Sequence, residues 1–195
     1  MGSEMCIRDS INDFAALLFA YHNDPDCDRK KNLQIIGPIG FKNYYKGLKK
    51  LYGDSIKPKN YEITISEVEQ SSFDINDIKI KTYKTYHTKE SIGFRFEYED
   101  KILAVSGDTG YHKNVIELCE RAGLAVLECS LPEYQCGEYH LNPMTSGQIA
   151  EKAQVKKLLL THLYPVMENY PIVDKCKKYF SGEVEVAINF KEYII

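Results

Sequence analysis

Ser106-Gly107-Asp108-Thr109-Gly110 is the stretch on which the reading of this chain turns, together with His87 before it and Thr161-His162-Leu163 after it. Each His or Asp stands at or beside the end of an apolar run that reads as a strand: Ile78–Tyr86, Ile102–Val105 and Lys157–Leu160. Strand ends hold side chains rigidly at one rim of a sheet, as a metal or catalytic site requires. Two imidazoles and one carboxylate are ligand types suited to zinc and similar divalent ions. Taken singly, each has a plainer reading. A lone His is most often a satisfied polar residue, and Ser-Gly-Asp-Thr is also a turn into a helix capped by Asp or Thr. The order of the three and their shared strand context set them apart from that background.

Working outward, the hydrophobic period alternates between helix and strand. Ile11–His22 reads as a helix, and Asn23–Lys31 as a polar turn. Leu33–Ile36 reads as a short buried strand closed by Gly37-Pro38. Phe41–Tyr52 is amphipathic, with Tyr44, Tyr45, Leu48 and Leu51 toward one side, and Gly53 ends it. Tyr61–Val68, Ile78–Tyr86 and Ile92–Tyr98 alternate as strands, and Glu99-Asp100-Lys101 turns the last of them back into Ile102–Val105. Further along come a helix over Val115–Ala122, a strand over Leu124–Leu127 and a helix over Pro143–Ala153. Pro143 stands early in that helix, where its missing N–H matters least. A strand at Leu158–Leu160, a helix over Asn169–Phe180 and a strand at Val184–Ile188 complete the pattern. Mixed strands and helices of this kind predict an α/β or α+β layered domain.

The composition fits an ordinary globular protein, with 195 residues, 44% hydrophobic and 27% charged. That length is one domain. No apolar run approaches the roughly 20 residues that span a bilayer, so no membrane partner is expected. A net charge of −3 argues against a general electrostatic grip on nucleic acid. Lys42, Lys46, Lys49, Lys50, Lys57 and Lys59 form a local basic cluster that reads first as a solvated helix face. The six cysteines show no C-x-x-C and no zinc-finger spacing, and read as buried or free thiols of a reducing cytoplasm. His22 with Asp24, Asp26 and Asp28 lacks the Gly and closing Glu of a calcium loop and reads as a polar turn. His112 reads as a surface residue in the first turn of a helix.

Five pieces together resemble the ribonuclease Z-like branch of the metallo-β-lactamase fold, a group of metal-dependent hydrolases. They are Tyr86-His87-Thr88, Leu103-Ala104-Val105-Ser106-Gly107-Asp108-Thr109, Leu127-Glu128-Cys129-Ser130, His140-Leu141-Asn142-Pro143 and Leu159-Leu160-Thr161-His162. The resemblance covers roughly Ile11 to the C-terminus. It implies part of a four-layer αββα sandwich, with the second sheet complete, the first incomplete and the metal site at one edge. It implies two divalent metal ions, zinc by expectation with manganese or iron open. His87 would ligate one ion, His162 the other, and Asp108 would bridge them. It further implies that His140 contacts the phosphate and protonates the leaving group while Glu128 orients it. The family often has His-Glu-Ala-Thr where this chain has Leu127-Glu128-Cys129-Ser130.

The family pattern breaks at the N-terminus. Members carry H-x-H-x-D-H just before a helix, yet Met5-Cys6-Ile7-Arg8-Asp9-Ser10 precedes the helix here, and only Asp9 matches by type. Residues 4–10 resemble a translated transposon-end adapter of the kind used in sequencing libraries. Residues 1–10 are therefore read as a non-native scar, and 11–195 as a partial hydrolase domain whose native sequence extends upstream. The expected activity is hydrolysis of a phosphodiester by metal-activated water, with a transfer RNA precursor as one candidate substrate. The chain as written is expected to be inactive for want of the motif. A small-molecule ester, lactone or cyclic nucleotide stays open as substrate. So do a homodimer and a non-catalytic binding or scaffold protein on the same fold.

Overall fold

A computed structural model of the chain describes residues 11, 13–25 and 29–195. The reading of residues 1–10 as a scar, and of Asp26 and Asp28 as part of a polar turn, falls outside the described residues. The chain divides into two compact units, one up to Val68 and one from Glu69 to Ile195.

In the first unit, helix α1 (Asp13–Asn23) is followed by β1 (Leu33–Pro38), α2 (Phe41–Tyr52), a 3-10 turn (Gly53–Ile56) and β2 (Ile63–Val68). β1 and β2 pair in parallel, with Leu33 opposite Ile63. Leu18, Tyr45 and Ile56 form the buried centre, with Phe14, Leu33, Leu48, Ile63 and Ile65 packed around it. α2 has no side-chain cap of its own, and its first residue follows Gly40 at φ 98°. Glu67, at the end of β2, supplies the acceptor instead: its Oε1 receives the N–H groups of Gly40 and Lys42 at 2.8 and 3.0 Å. A carboxylate there also suits the positive end of the helix dipole.

The second unit is a seven-stranded sheet in the simple order β3-β4-β5-β6-β7-β8-β9. Its strands are β3 (Ser72–Ile75), β4 (Ile78–Lys84), β5 (Ile92–Tyr98), β6 (Lys101–Val105), β7 (Leu124–Glu128), β8 (Lys157–Thr161) and β9 (Glu183–Val186). The first four are joined as antiparallel hairpins, and β6 to β9 run parallel. Helices α3 (Lys113–Cys119), α4 (Pro143–Lys152) and α5 (Ile172–Cys176) make the crossovers between the parallel strands. The inner parallel strands β7 and β8 are apolar on both faces, as that arrangement demands, while the edge strand β9 alternates Glu and Val. Leu158, Leu159 and Leu160 are all buried, at 0, 5 and 0% exposure. The sheet core continues through Leu118, Leu127, Leu141, Ile149 and Met167.

Two elements differ from the sequence expectation. The hairpin strand β3 reads as loop in sequence because it has only four residues, two of them polar. Asn76 at φ 51° turns it directly into β4. The helix expected over Asn169–Phe180 shrinks to five residues. Pro171 cannot donate within a helix, and the segment before it forms only a 3-10 turn, Pro165–Met167.

The topology has one consequence for chemistry. β4 and β6 each run antiparallel to β5, so β4 points the same way as β6, β7 and β8. His87, Asp108, Glu128 and His162 follow or end these four strands. They therefore emerge at one edge, the carboxyl ends of the strands, where open α/β sheets bind ligands.

Candidate active site

Strand geometry alone would leave the first and last of these residues far apart. Four strand spacings, about 19 Å, separate β4 from β8. The loops close that distance. The segment after β4 is tied to the segment after β6 by three bonds. The Thr85 hydroxyl donates to the Asp108 carbonyl at 3.1 Å, the Tyr86 N–H to the Thr109 hydroxyl at 3.0 Å, and the Gly110 N–H to the Tyr86 carbonyl at 2.7 Å. Gly110 lies so close to the 136–140 loop that a Cβ there would fall 1.8 Å from the Glu138 carbonyl oxygen. No side chain fits, which is why this position is a glycine.

Glu128 is the hub. It ends β7, is 1% exposed, and its carboxylate accepts four hydrogen bonds. Oε1 receives the Thr109 N–H at 2.7 Å and the His140 Nδ1 at 2.9 Å. Oε2 receives the Ser130 hydroxyl at 2.5 Å and the Leu141 N–H at 3.2 Å. Those four donors use the lone pairs of both oxygens. Ser130 spends its one proton on Glu128 and so accepts from His162 Nδ1 at 2.9 Å. The tautomers follow: His140 and His162 each carry a proton on Nδ1 and aim Nε2 away from the hub.

His162 closes β8 with φ 56°, a left-handed backbone conformation uncommon for any residue but glycine. Strain of that kind collects at functional sites. Its Nε2 lies 3.6 Å from Asp108 Oδ1, beyond hydrogen-bond length. Two ligands bonded to one ion at about 2.1 Å in tetrahedral geometry stand about 3.4 Å apart. The contact therefore fits a shared cation better than a direct bond.

His87 reaches the same rim from the other side. Its Nδ1 donates to the Tyr139 carbonyl at 2.9 Å, and its ring centre lies 4.8 Å from that of His140. The His140 and His162 rings are stacked at 6.0 Å. With Nδ1 protonated, His87 Nε2 carries a lone pair, and that atom is buried with no hydrogen-bond partner. An imidazole held at Nδ1 by a carbonyl, with Nε2 facing nothing, has the form of a metal ligand.

Proximity of ligand atoms picks out a different trio, Glu128, His140 and His162, whose candidate atoms lie within 4.8 Å of one another. Chemistry argues against that set. Glu128 has no lone pair to spare, and the nitrogens that crowd it are the protonated Nδ1 atoms. The donors that could hold a cation are His87 Nε2, His162 Nε2 and Asp108, with His140 Nε2 beside them.

Ser130 and Tyr139 are the functional partners that sequence inspection passes over. Ser130 was visible only as the departure from His-Glu-Ala-Thr, and Tyr139 acts through its carbonyl, which no motif records. His112 is the N-cap of α3, its Nδ1 accepting the Asn114 N–H at 3.2 Å. Among the described residues, the thiols near the rim are turned away from it. Burial pushes the Cys129 thiol far up and the Cys176 thiol to about 12, while Cys136, raised to about 11 by burial, points its Sγ at the His140 carbonyl.

Comparison with known proteins gives a consistent picture. The profile of a family described as “Beta-lactamase superfamily domain” matches residues 28–163. The uncharacterized protein Rv1339 of Mycobacterium tuberculosis is 31% identical over 106 residues, 52% of this chain and 38% of its own length. The chain thus spans about two fifths of that relative. A ribonuclease Z of Sulfurisphaera tokodaii is 25% identical over 217 residues, covering 86% of this chain and 71% of the enzyme. The crystal structure of the metallo-β-lactamase fold protein YhfI from Bacillus subtilis superposes with a TM-score of 0.72 at 25% identity, covering 92% of this chain and 70% of that one. The mixed α/β fold is that of the metallo-β-lactamase group. Among the described residues, no helix is long and apolar enough to cross a membrane.

Proposed function

This chain belongs to the beta-lactamase superfamily, and from that membership we propose that it is built as a metal-dependent hydrolase of phosphodiesters, of the ribonuclease Z-like kind. The observation that carries the reading is His87 Nε2, buried with its lone pair aimed at nothing, on the same rim as the His162–Asp108 contact of 3.6 Å. His87 would hold one divalent ion, His162 a second, and Asp108 would bridge them, with zinc the first expectation and manganese or iron open. Such ions lower the pKa of a bound water and polarise a phosphoryl oxygen.

The chain's own residues supply the rest. Glu128 holds the His140 Nδ1–H, so Nε2 is the atom presented to substrate, and His140 is the candidate proton donor to the leaving oxygen in its imidazolium form, which carries a second proton on Nε2 and returns to the Nδ1–H tautomer once that proton is given up. Ser130 holds His162 in the tautomer whose Nε2 is free. Thr109 and Leu141 fix the Glu128 carboxylate through their N–H groups, so the orientation of both imidazoles rests on backbone. A precursor of transfer RNA is the substrate suggested by the ribonuclease Z relative, with the protein proposed to work in the cytoplasm.

Two imidazoles and a shared carboxylate are too few for two catalytic ions, since catalytic zinc sites usually have three protein ligands. The remaining ligands in this family come from H-x-H-x-D-H, and Met5, Ile7 and Ser10 offer no imidazole. Residues 1–10 are accordingly proposed to be foreign, and the chain as written to be a poor enzyme. The test titrates zinc into this chain and its His87→Ala, Asp108→Ala and His162→Ala variants. Hydrolysis of bis(p-nitrophenyl) phosphate is measured beside a chain carrying H-x-H-x-D-H in front of Ile11. Each variant should bind zinc at least about tenfold more weakly, the step seen on losing even an outer partner of a metal ligand. The motif-bearing chain should be far the more active. Zinc affinity indifferent to all three substitutions would remove the metal assignment, and equal activity of the two chains would remove the account of the N-terminus.

A further inference from the structure

The stacked aromatic rings at this rim are a separate feature from the imidazoles and carboxylates of the site. Three rings form a column: His112 stacks on Tyr86 at 5.8 Å and 14°, and Tyr86 stacks on Tyr139 at 5.4 Å and 28°. Tyr86 and Tyr139 are 38 and 48% exposed, although large rings left in solvent forgo burial worth having. The column is firmly built. His112 is fixed as a helix cap, and the backbone N–H and carbonyl of Tyr86 are both bonded to the 109–110 turn. Tyr139 is the terminal ring, and its carbonyl is the group that holds His87.

We propose that this column is a stacking platform for the base of a nucleotide substrate, with Tyr139 as the face the base meets and the adjoining phosphate directed to the His87 rim. The proposal rests on the phosphodiester reading. Three observations select a base as occupant. A stack of flat rings that ends in an exposed ring is extended most readily by another flat ring, and base–aromatic stacking is how proteins take up unpaired nucleotides. The column adjoins a proposed metal ligand through a single residue, so a group bound on it lies next to the reacting centre. The charge beside it is wrong for phosphate: Glu138 accepts the Tyr86 hydroxyl at 3.4 Å and also hydrogen-bonds the Tyr139 hydroxyl. A carboxylate there repels a second phosphate and welcomes the N–H edge of a base.

The experiment measures binding rather than turnover, by calorimetry with zinc supplied. Adenosine 5′-monophosphate is compared with ribose 5-phosphate, which has the phosphate and sugar without the base. Phenyl phosphate serves as an aryl control. The unaltered chain should prefer the nucleotide over the ribose phosphate by at least about fivefold, the low end of what one stacked base contributes. Tyr139→Ala, which keeps the backbone carbonyl that holds His87, should bring that ratio near one, ribose 5-phosphate serving as the reference within the same variant and circular dichroism showing that it folds. Tyr139→Phe should keep the ratio, because it keeps the ring. Tyr86→Ala should lower it by leaving Tyr139 unsupported. A ratio near one in the unaltered chain, or one that Tyr139→Ala does not change, overturns the platform. Phenyl phosphate binding as tightly as the nucleotide overturns the nucleotide class. Failure of all three to bind, repeated in the chain that carries H-x-H-x-D-H in front of Ile11, counts against the phosphodiester reading and takes the platform with it, whereas binding of ribose 5-phosphate alone sinks the platform only.

Discussion

Arg95 and Glu128 anchor two polar networks in the same sheet, and the networks end differently. Arg95 lies on β5, is 8% exposed, and turns two of its three guanidinium nitrogens onto the protein. Nε donates to Glu97 Oε1 at 2.6 Å, and one terminal nitrogen donates to the carbonyls of Leu118 and Glu120 at 3.0 and 2.7 Å, closing the end of α3. Lys81 completes the Glu97 side at 2.9 Å. The bonds of that network run between protein groups and close on Glu97 and the α3 carbonyls. The Glu128 network is just as well anchored at its base but finishes on two imidazole Nε2 atoms that point away from it, those of His140 and His162, the latter stopping 3.6 Å from the Asp108 carboxylate. A polar cluster that serves only the fold closes on itself. One that serves a ligand is rigid on the protein side and unfinished on the other.

The sharpest way to break that contrast is to remove the outward arm. His140→Ala leaves Glu128 with its Thr109, Leu141 and Ser130 donors, so the fold should hold. In a chain carrying the full H-x-H-x-D-H motif, turnover of a phosphodiester should drop by about 10²–10⁴ if His140 is the general acid, with metal content nearly unchanged. Equal loss of metal and activity would make His140 a ligand instead, and unchanged turnover would strip it of both roles.

The parts of this arrangement that sequence discloses are those with a local signal. Alternation at Ile92–Tyr98 and the apolar run Leu158–Leu160 announce strands because burial imposes their periods directly. His87, Asp108 and His162 stand out because they sit at the ends of such runs. Ser130 does not, since its role depends on Glu128, His140 and His162 meeting in space across gaps of up to 34 residues between Glu128 and His162. The hold of Tyr139 on His87 spans 52 residues and uses a carbonyl, which every residue has. The shortening of the expected helix over Asn169–Phe180 was written in Pro171, but apolar spacing on both sides of it disguised the break.

The closed network offers the next test. Arg95→Met removes three donated bonds and leaves the Leu118 and Glu120 carbonyls without their donor. Breaking a buried pair commonly costs about 3–5 kcal/mol. Glu97 retains Lys81 and is partly exposed, so about 2–3 kcal/mol is expected here, read from urea denaturation. Zinc affinity of the folded fraction should stay as it was. If zinc affinity fell with stability, the two networks would not be separable in the way their geometry implies.

A smaller effect probes the link between helix and site. Asn142 caps α4 through a reciprocal pair: its Oδ1 accepts the Thr145 N–H at 2.9 Å, and the Thr145 hydroxyl accepts the Asn142 N–H at 3.0 Å. That box follows His140 by two residues and fixes where Leu141 presents its N–H to Glu128. Asn142→Ala should cost about 1 kcal/mol of stability, the usual worth of such a cap. Thermal unfolding would show it, and Asn142→Asp should recover most of the loss. Failure of Asp to do so would mean the cap contributes through packing rather than through its acceptor.

The smallest expected effect is one of pH and concerns Glu97 alone. Burial acts to raise its pKa, but hydrogen bonds and charge from Arg95 and Lys81 outweigh that and hold the folded-state value below the ordinary 4.5. A carboxyl group whose folded pKa is depressed binds fewer protons folded than unfolded in that range, so it stabilises the fold fully above the unfolded value. The contribution fades as pH falls below about 4.5 and through the folded pKa. Glu97→Gln keeps the shape and one acceptor but has no proton to gain. Urea denaturation at pH 6 and again at pH 3.5 should therefore show a larger fall in stability for the unaltered chain than for Glu97→Gln. The difference between the two chains should be widest at pH 6, where the charge is intact, and should shrink toward acid. Parallel losses would mean that Arg95 is held by the α3 carbonyls alone and that its carboxylate partner is dispensable, leaving the closed network to rest on hydrogen bonds rather than on charge.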